Sequence, residues 1–115
     1  MRVLTLIIKE VYLNEIVAGT KTVETREPRP NTFKKYYEYD NEGFEIGLLP
    51  YDAIQFYAGY RPDRKAALVA VKKADLIVLT DEDTNEDITY KHKGVEYLAT
   101  LAEYHLNNVI NKQNF

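Results

Sequence analysis

From Val3 to Ile8 every position is β-branched or leucine and Thr5 is the only polar one, the pattern of a strand covered on both faces. The period then changes. Tyr12, Leu13, Ile16 and Val17 recur at helical spacing, Glu10 suits a first turn, and Gly19 stands where a left-handed cap commonly ends a helix. A short helix of about two to three turns is expected there. Thr20 to Arg26 alternates threonine or valine with charged residues and stops before Glu27-Pro28-Arg29-Pro30, whose prolines cannot supply a central ladder. It reads as a second strand. From residue 27 to about 50 the chain is polar, tyrosine-rich and weakly periodic, with Asn31 as a possible N-cap for a helical turn through Phe33, Lys34 and Tyr37.

Asp52 to Tyr57 alternates cleanly, which places Ile54 and Phe56 inward and Gln55 and Tyr57 outward. The turn residues of Ala58 to Arg64 follow, and Ala66 to Val71 is again strand-like, so the two runs form a hairpin. Leu76 to Leu79 is either a further strand or the same strand continued past a bend at Lys73-Ala74-Asp75. Residues 81–87 read as a solvated acidic loop and 61–65 as a solvated hairpin tip. Tyr97 to Leu106 has helix propensity, yet its end reads equally as a closing strand; a strand over 102–106 is the favoured reading.

Composition narrows the class. With 115 residues, 45% of them hydrophobic and spread along the chain, one domain over residues 1–115 is expected. Cysteine is absent, which excludes disulfides and thiolate metal sites and fits a reducing cytoplasm. His92 and His105 fall in no metal-ligand spacing, so neither a metal nor a cofactor is expected. The apolar run near the start is too short for a signal peptide, and no stretch approaches the roughly 20 apolar residues that cross a bilayer, so no membrane partner is expected. The net charge of −3 argues against strong sequence-blind binding to long duplexes, which rests on neutralised phosphates. Locally the balance differs: Lys21, Arg26, Arg29, Lys34 and Lys35 outnumber Glu24 and Glu27 between residues 21 and 35.

The chemistry concentrates in Gly19-Thr20-Lys21-Thr22-Val23-Glu24-Thr25-Arg26, where a lysine, a carboxylate and an arginine follow a helix directly. On a regular strand Thr22, Glu24 and Arg26 share one face and Lys21 points away, so Lys21 joins them only where the strand start is irregular. The spacing is not that of a phosphate-binding P-loop. The same residues also read as a surface ion-pair network, which contributes little in solvent.

Helix, then Gly-x-Lys-Thr-x-Glu-x-Arg on a strand, resembles the signature of ASCH domains of the PUA-like superfamily. The resemblance covers the strand, helix and strand at residues 3–26, and extends loosely to the middle hairpin. Glu103-Tyr104-His105-Leu106 is similar to the Tyr-His-Leu-Gly closing strand of some members, with Asn107 where they carry glycine. The resemblance implies an α+β fold, a small PUA-like β-barrel with one or two flanking short helices, and a cleft beside the motif that holds RNA or a nucleoside-type ligand. Some small bacterial members deacylate acetylcytidine. Their lysine matches Lys21, but their catalytic threonine falls on Glu24, and no later acid aligns. A lysine acting as base or nucleophile must lose its proton, which a neighbouring glutamate opposes. Binding is therefore ranked above hydrolysis, in which Lys21 and Glu24 would be the catalytic pair.

The resemblance places Lys21, Thr22, Glu24 and Arg26 in the ligand site. Aromatics near cations suit stacked bases, and Tyr57 and Tyr60 beside Gly59, with Arg61, are the preferred candidates among the six tyrosines between residues 36 and 60. In a chain without tryptophan those tyrosines also suit the core edge. Tyr104 and His105 reach the same cleft if the last strand closes beside the second; the alternative is a partly buried structural histidine. A third reading is a protein-interaction module whose contact surface is the tyrosine-rich segment 33–60.

Overall fold

The computed structural model describes residues 1–115. In chain order the elements are β1 (Val3–Ile8), α1 (Glu10–Ala18), β2 (Val23–Arg26), a 3-10 turn (Pro30–Thr32), α2 (Phe33–Tyr36), β3 (Tyr37–Tyr39), β4 (Glu45–Leu48), β5 (Ala53–Ala58), β6 (Ala66–Val78), β7 (Thr89–His92), β8 (Val95–Leu98) and β9 (Thr100–Gln113). The fold is mixed α+β. A five-stranded sheet has the order β1-β5-β6-β9-β2, and β3-β4 and β7-β8 form two small two-stranded sheets. No helix is long and apolar enough to cross a membrane.

The chain divides into two compact units: Met1–Glu24, Pro50–Lys73 and Tyr104–Phe115 in the first, Thr25–Leu49 and Ala74–Glu103 in the second. In the first unit β1 runs parallel to β5, and β5 antiparallel to β6 as the expected hairpin. Ile54 and Phe56 are fully buried while Gln55 and Tyr57 are half-buried, which is the expected alternation. With Leu4, Leu6, Leu13, Val69 and Tyr104 they form the core. The expectation that β1 is covered on both faces is corrected: Leu4, Leu6 and Ile8 are buried, whereas Val3 and Thr5 are exposed. Its β-branched residues reflect the pleated backbone they favour and not burial on both sides. The expected short helix is α1, capped at Gly19; it buries Leu13 and Ile16 and leaves Tyr12 45% exposed. The core takes a narrower stripe than the four apolar positions offered.

In the second unit the weakly periodic stretch from residue 27 to about 50 carries a 3-10 turn, α2, β3 and β4. Asn31 does not cap a helix; it lies inside the 3-10 turn, where the Arg29 amide donates to the Thr32 hydroxyl at 3.1 Å. The α2 turn then leads into the β3–β4 hairpin, which is bulged at Glu38/Tyr39. Asp40 builds its turn by accepting from the amides of Glu42 and Phe44, each at 2.9 Å. The second hairpin, β7–β8, pairs Thr89 with Leu98 and His92 with Val95. Its two turn residues, Lys93 and Gly94, both have positive φ, at 51° and 80°. That is the backbone a two-residue hairpin loop demands. The acidic loop before it is shaped by Asp81, whose carboxylate accepts from the amides of Asp83 and Thr84 at 2.8 and 3.2 Å.

The long strands β6 and β9 contribute residues to both units. β6 is one continuous element through Lys73-Ala74-Asp75, so Leu76 to Val78 continues the preceding strand and is not a separate one. The region 102–106 is strand, within β9, and not helix.

Candidate functional site

The geometry at Lys21 begins with the end of α1. Gly19 adopts φ +83°, and its amide donates to the Ile16 carbonyl at 3.1 Å. The Thr20 amide reaches back to the Glu15 carbonyl at 3.0 Å, completing a Schellman cap. The same Glu15 carbonyl accepts from the Lys21 amide at 3.1 Å and the Thr20 hydroxyl at 3.2 Å. The Lys21 backbone is thereby anchored to the helix end before β2 begins at Val23. Lys21 lies outside the strand, so strand alternation does not carry its side chain away from Glu24.

Lys21 Nζ donates to the Val23 carbonyl at 2.8 Å and stands 3.3 Å from Glu24 Oε1. The lysine side chain is 26% exposed and that of Glu24 only 8%. A carboxylate this enclosed needs charged or polar partners, and the ammonium is one of them. On its open side Lys21 Nζ sits 5.9 Å from the centre of the Tyr12 ring, within cation–π range. A half-exposed donor, a fixed acceptor and an exposed flat ring thus gather within the first unit. Tyr12 was absent from the sequence candidates because its helical spacing reads as core; its place one residue before the buried Leu13, on the flank of the apolar stripe, was the available signal.

The other expected residues are distributed as follows. Thr22 is exposed, and its carbonyl accepts from the Leu106 amide at 2.8 Å, which joins the start of β2 to β9. Tyr104 is fully buried in the core of the first unit, and His105 beside it is half-buried. Tyr57 is half-buried beneath the Arg64 guanidinium, 4.0 Å above its ring, and Arg64 also donates to the Gly59 carbonyl at 3.1 Å. Tyr60 is 82% exposed, and Arg61 pairs with Asp63 at 3.5 Å at the solvated tip.

Arg26 lies in the second unit. Desolvation, and then the charge of Arg26, push the Lys35 ammonium below its ordinary value. In that unit Phe33, Tyr37 and Tyr97 form an aromatic group, with ring centres 5.2 Å apart for Phe33–Tyr37 and 5.4 Å for Phe33–Tyr97. The Tyr37 hydroxyl and Thr100 Oγ1 share a buried hydrogen bond of 2.6 Å.

Comparison of the chain with protein-family models, with curated proteins and with solved structures found no match.

Proposed function

We propose that the chain is a small ASCH-type, PUA-like domain whose strands close as a barrel, and that it binds an RNA-type or nucleoside-type ligand at Lys21. The observation that carries this reading is the Lys21–Glu24 pair at 3.3 Å beside the exposed Tyr12 ring. A nucleobase offers a carbonyl oxygen to an ammonium donor and a flat face to an aromatic ring, and recognition of unpaired bases relies on both. Glu24 holds the ammonium in place, and the capped end of α1 holds the backbone, so the donor is oriented before a ligand arrives. The two polar contacts of Lys21 Nζ, to the Val23 carbonyl and Glu24 Oε1, are to acceptors, an arrangement that suits donation to a carbonyl or phosphate oxygen more than attack on an amide. Hydrolysis of an acylated nucleoside is therefore the lesser reading.

Titration with cytidine, acetylcytidine and short single-stranded RNA, followed by tyrosine fluorescence, tests the proposal. Saturable quenching is expected, abolished in Lys21→Ala and weakened about tenfold in Tyr12→Ala, the scale of a lost base stack. Binding unchanged in Lys21→Ala, with both variants folded, overturns it. Release of acetate from acetylcytidine that disappears in Lys21→Ala and Glu24→Gln would replace it by an amidohydrolase.

A further inference from the structure

The second unit contains an open cavity of about 470 Å³, the size of a small-molecule site. Four aromatic side chains wall it: Phe33 from α2, Tyr37 and Tyr39 from β3, and Tyr97 from β8. Leu76, Val78 and Leu98 add an aliphatic surface. Its charged lining residues are Glu45 and Glu96, both carboxylates, and no lysine or arginine lines it. Thr89 donates to Glu96 Oε1 at 2.7 Å, which fixes that carboxylate on the hairpin. The polar pair at the wall, Tyr37 and Thr100, is spent on its own 2.6 Å hydrogen bond.

Aromatic faces carry negative potential, and two acidic side chains reinforce it. The aromatic group already holds one cation at its outer end. The Arg29 guanidinium lies 4.4 Å over the Tyr90 ring, Tyr90 stacks on Tyr97 at 5.7 Å, and Glu27, 2.6 Å from Arg29, compensates that charge. Within the cavity the two carboxylates have no lining cation to compensate them. A neutral apolar guest would fill the volume without answering this charge, and an anion would be repelled. A weakly hydrated organic cation with methyl groups answers both the rings and the acids at low desolvation cost.

We propose that this cavity is a binding site for a small organic cation of the methylated or quaternary ammonium class. The ammonium stands against Phe33, Tyr37, Tyr39 and Tyr97 under the field of Glu45 and Glu96, and the apolar substituent lies on Leu76, Val78 and Leu98. The proposal rests on different residues from those of the nucleoside reading and stands or falls separately.

The test uses choline and 3,3-dimethylbutan-1-ol, which share shape and differ in the charged nitrogen. Backbone amide NMR of the whole chain is recorded as each is added. Saturable shifts at Phe33, Tyr37 and Tyr97 are expected with choline, and affinity for the neutral alcohol should be at least roughly tenfold weaker. Glu45→Gln with Glu96→Gln should reduce that preference while leaving the amide spectrum folded. Tyr97→Leu, which keeps an apolar side chain, should weaken choline binding and spare the alcohol. Equal affinity for the two compounds overturns the proposal, as does the absence of saturable shifts with choline in a folded sample. A preference undiminished in the double glutamine variant overturns the role given to the carboxylates.

Discussion

Single side chains in this protein are set by what encloses them more than by their type. Tyr37 is buried, and burial pushes its phenol above the ordinary value of 10.0; the hydrogen bond with Thr100 works against this, and the charge of Glu45 with it. The folded state therefore keeps the proton more tightly than the unfolded chain does. The stability this group contributes is present below pH 10.0 and is lost as pH rises from there through its folded-state value. Absorbance titration at 295 nm should show phenols ionising late, and urea denaturation should show Tyr37→Phe losing less stability above pH 10.0 than the native chain. An equal alkaline loss in both would contradict it. Lys21 and Glu24 were legible as a pair of interest because lysine, carboxylate and arginine are crowded after a glycine cap. Tyr12 was not legible, because helical spacing marks a face and not which edge of it the core covers.

At the scale of elements, local chemistry fixed what could be read. The helix and its end were plain from Tyr12 to Gly19, and Ile54 and Phe56 announced β5 by alternation. The cap at Gly19 carries a direct prediction. A methyl group there meets nothing within 4 Å, so the cost of Gly19→Ala is conformational, from φ +83° alone. It should destabilise the chain by about 1 kcal/mol, measured by urea denaturation. It should also weaken nucleoside binding, because the cap anchors the Lys21 backbone. A neutral substitution would contradict both. The two small hairpins were not read from sequence, for different reasons. β3 has three residues and a bulge at Glu38/Tyr39, so its alternation never becomes a period. β7–β8 turns on Lys93-Gly94, where a lysine takes the positive φ that asparagine or aspartate usually signals.

For the whole molecule, composition excluded more than it specified. The α+β class was implied by the resemblance and agrees with one helical period among several strand-like runs, whereas the pairing of β1 with β5 and the long courses of β6 and β9 depend on contacts distant in sequence. The net charge of −3 limits the electrostatic share of any nucleic-acid affinity. A ligand held by one lysine and one ring should then lose little affinity between 50 and 200 mM salt, with a log–log slope of about −1 or shallower for a ligand carrying a single phosphate. A steep slope would mean a broader basic surface than Lys21 supplies. The central claim is tested most directly by a backbone amide NMR titration of the folded protein with cytidine-type nucleosides, with Lys21→Ala as control. The account predicts saturable shifts clustered on Tyr12, Lys21, Thr22 and Glu24 that vanish in the variant; no saturable shift across the panel, or shifts that persist without Lys21, would contradict it.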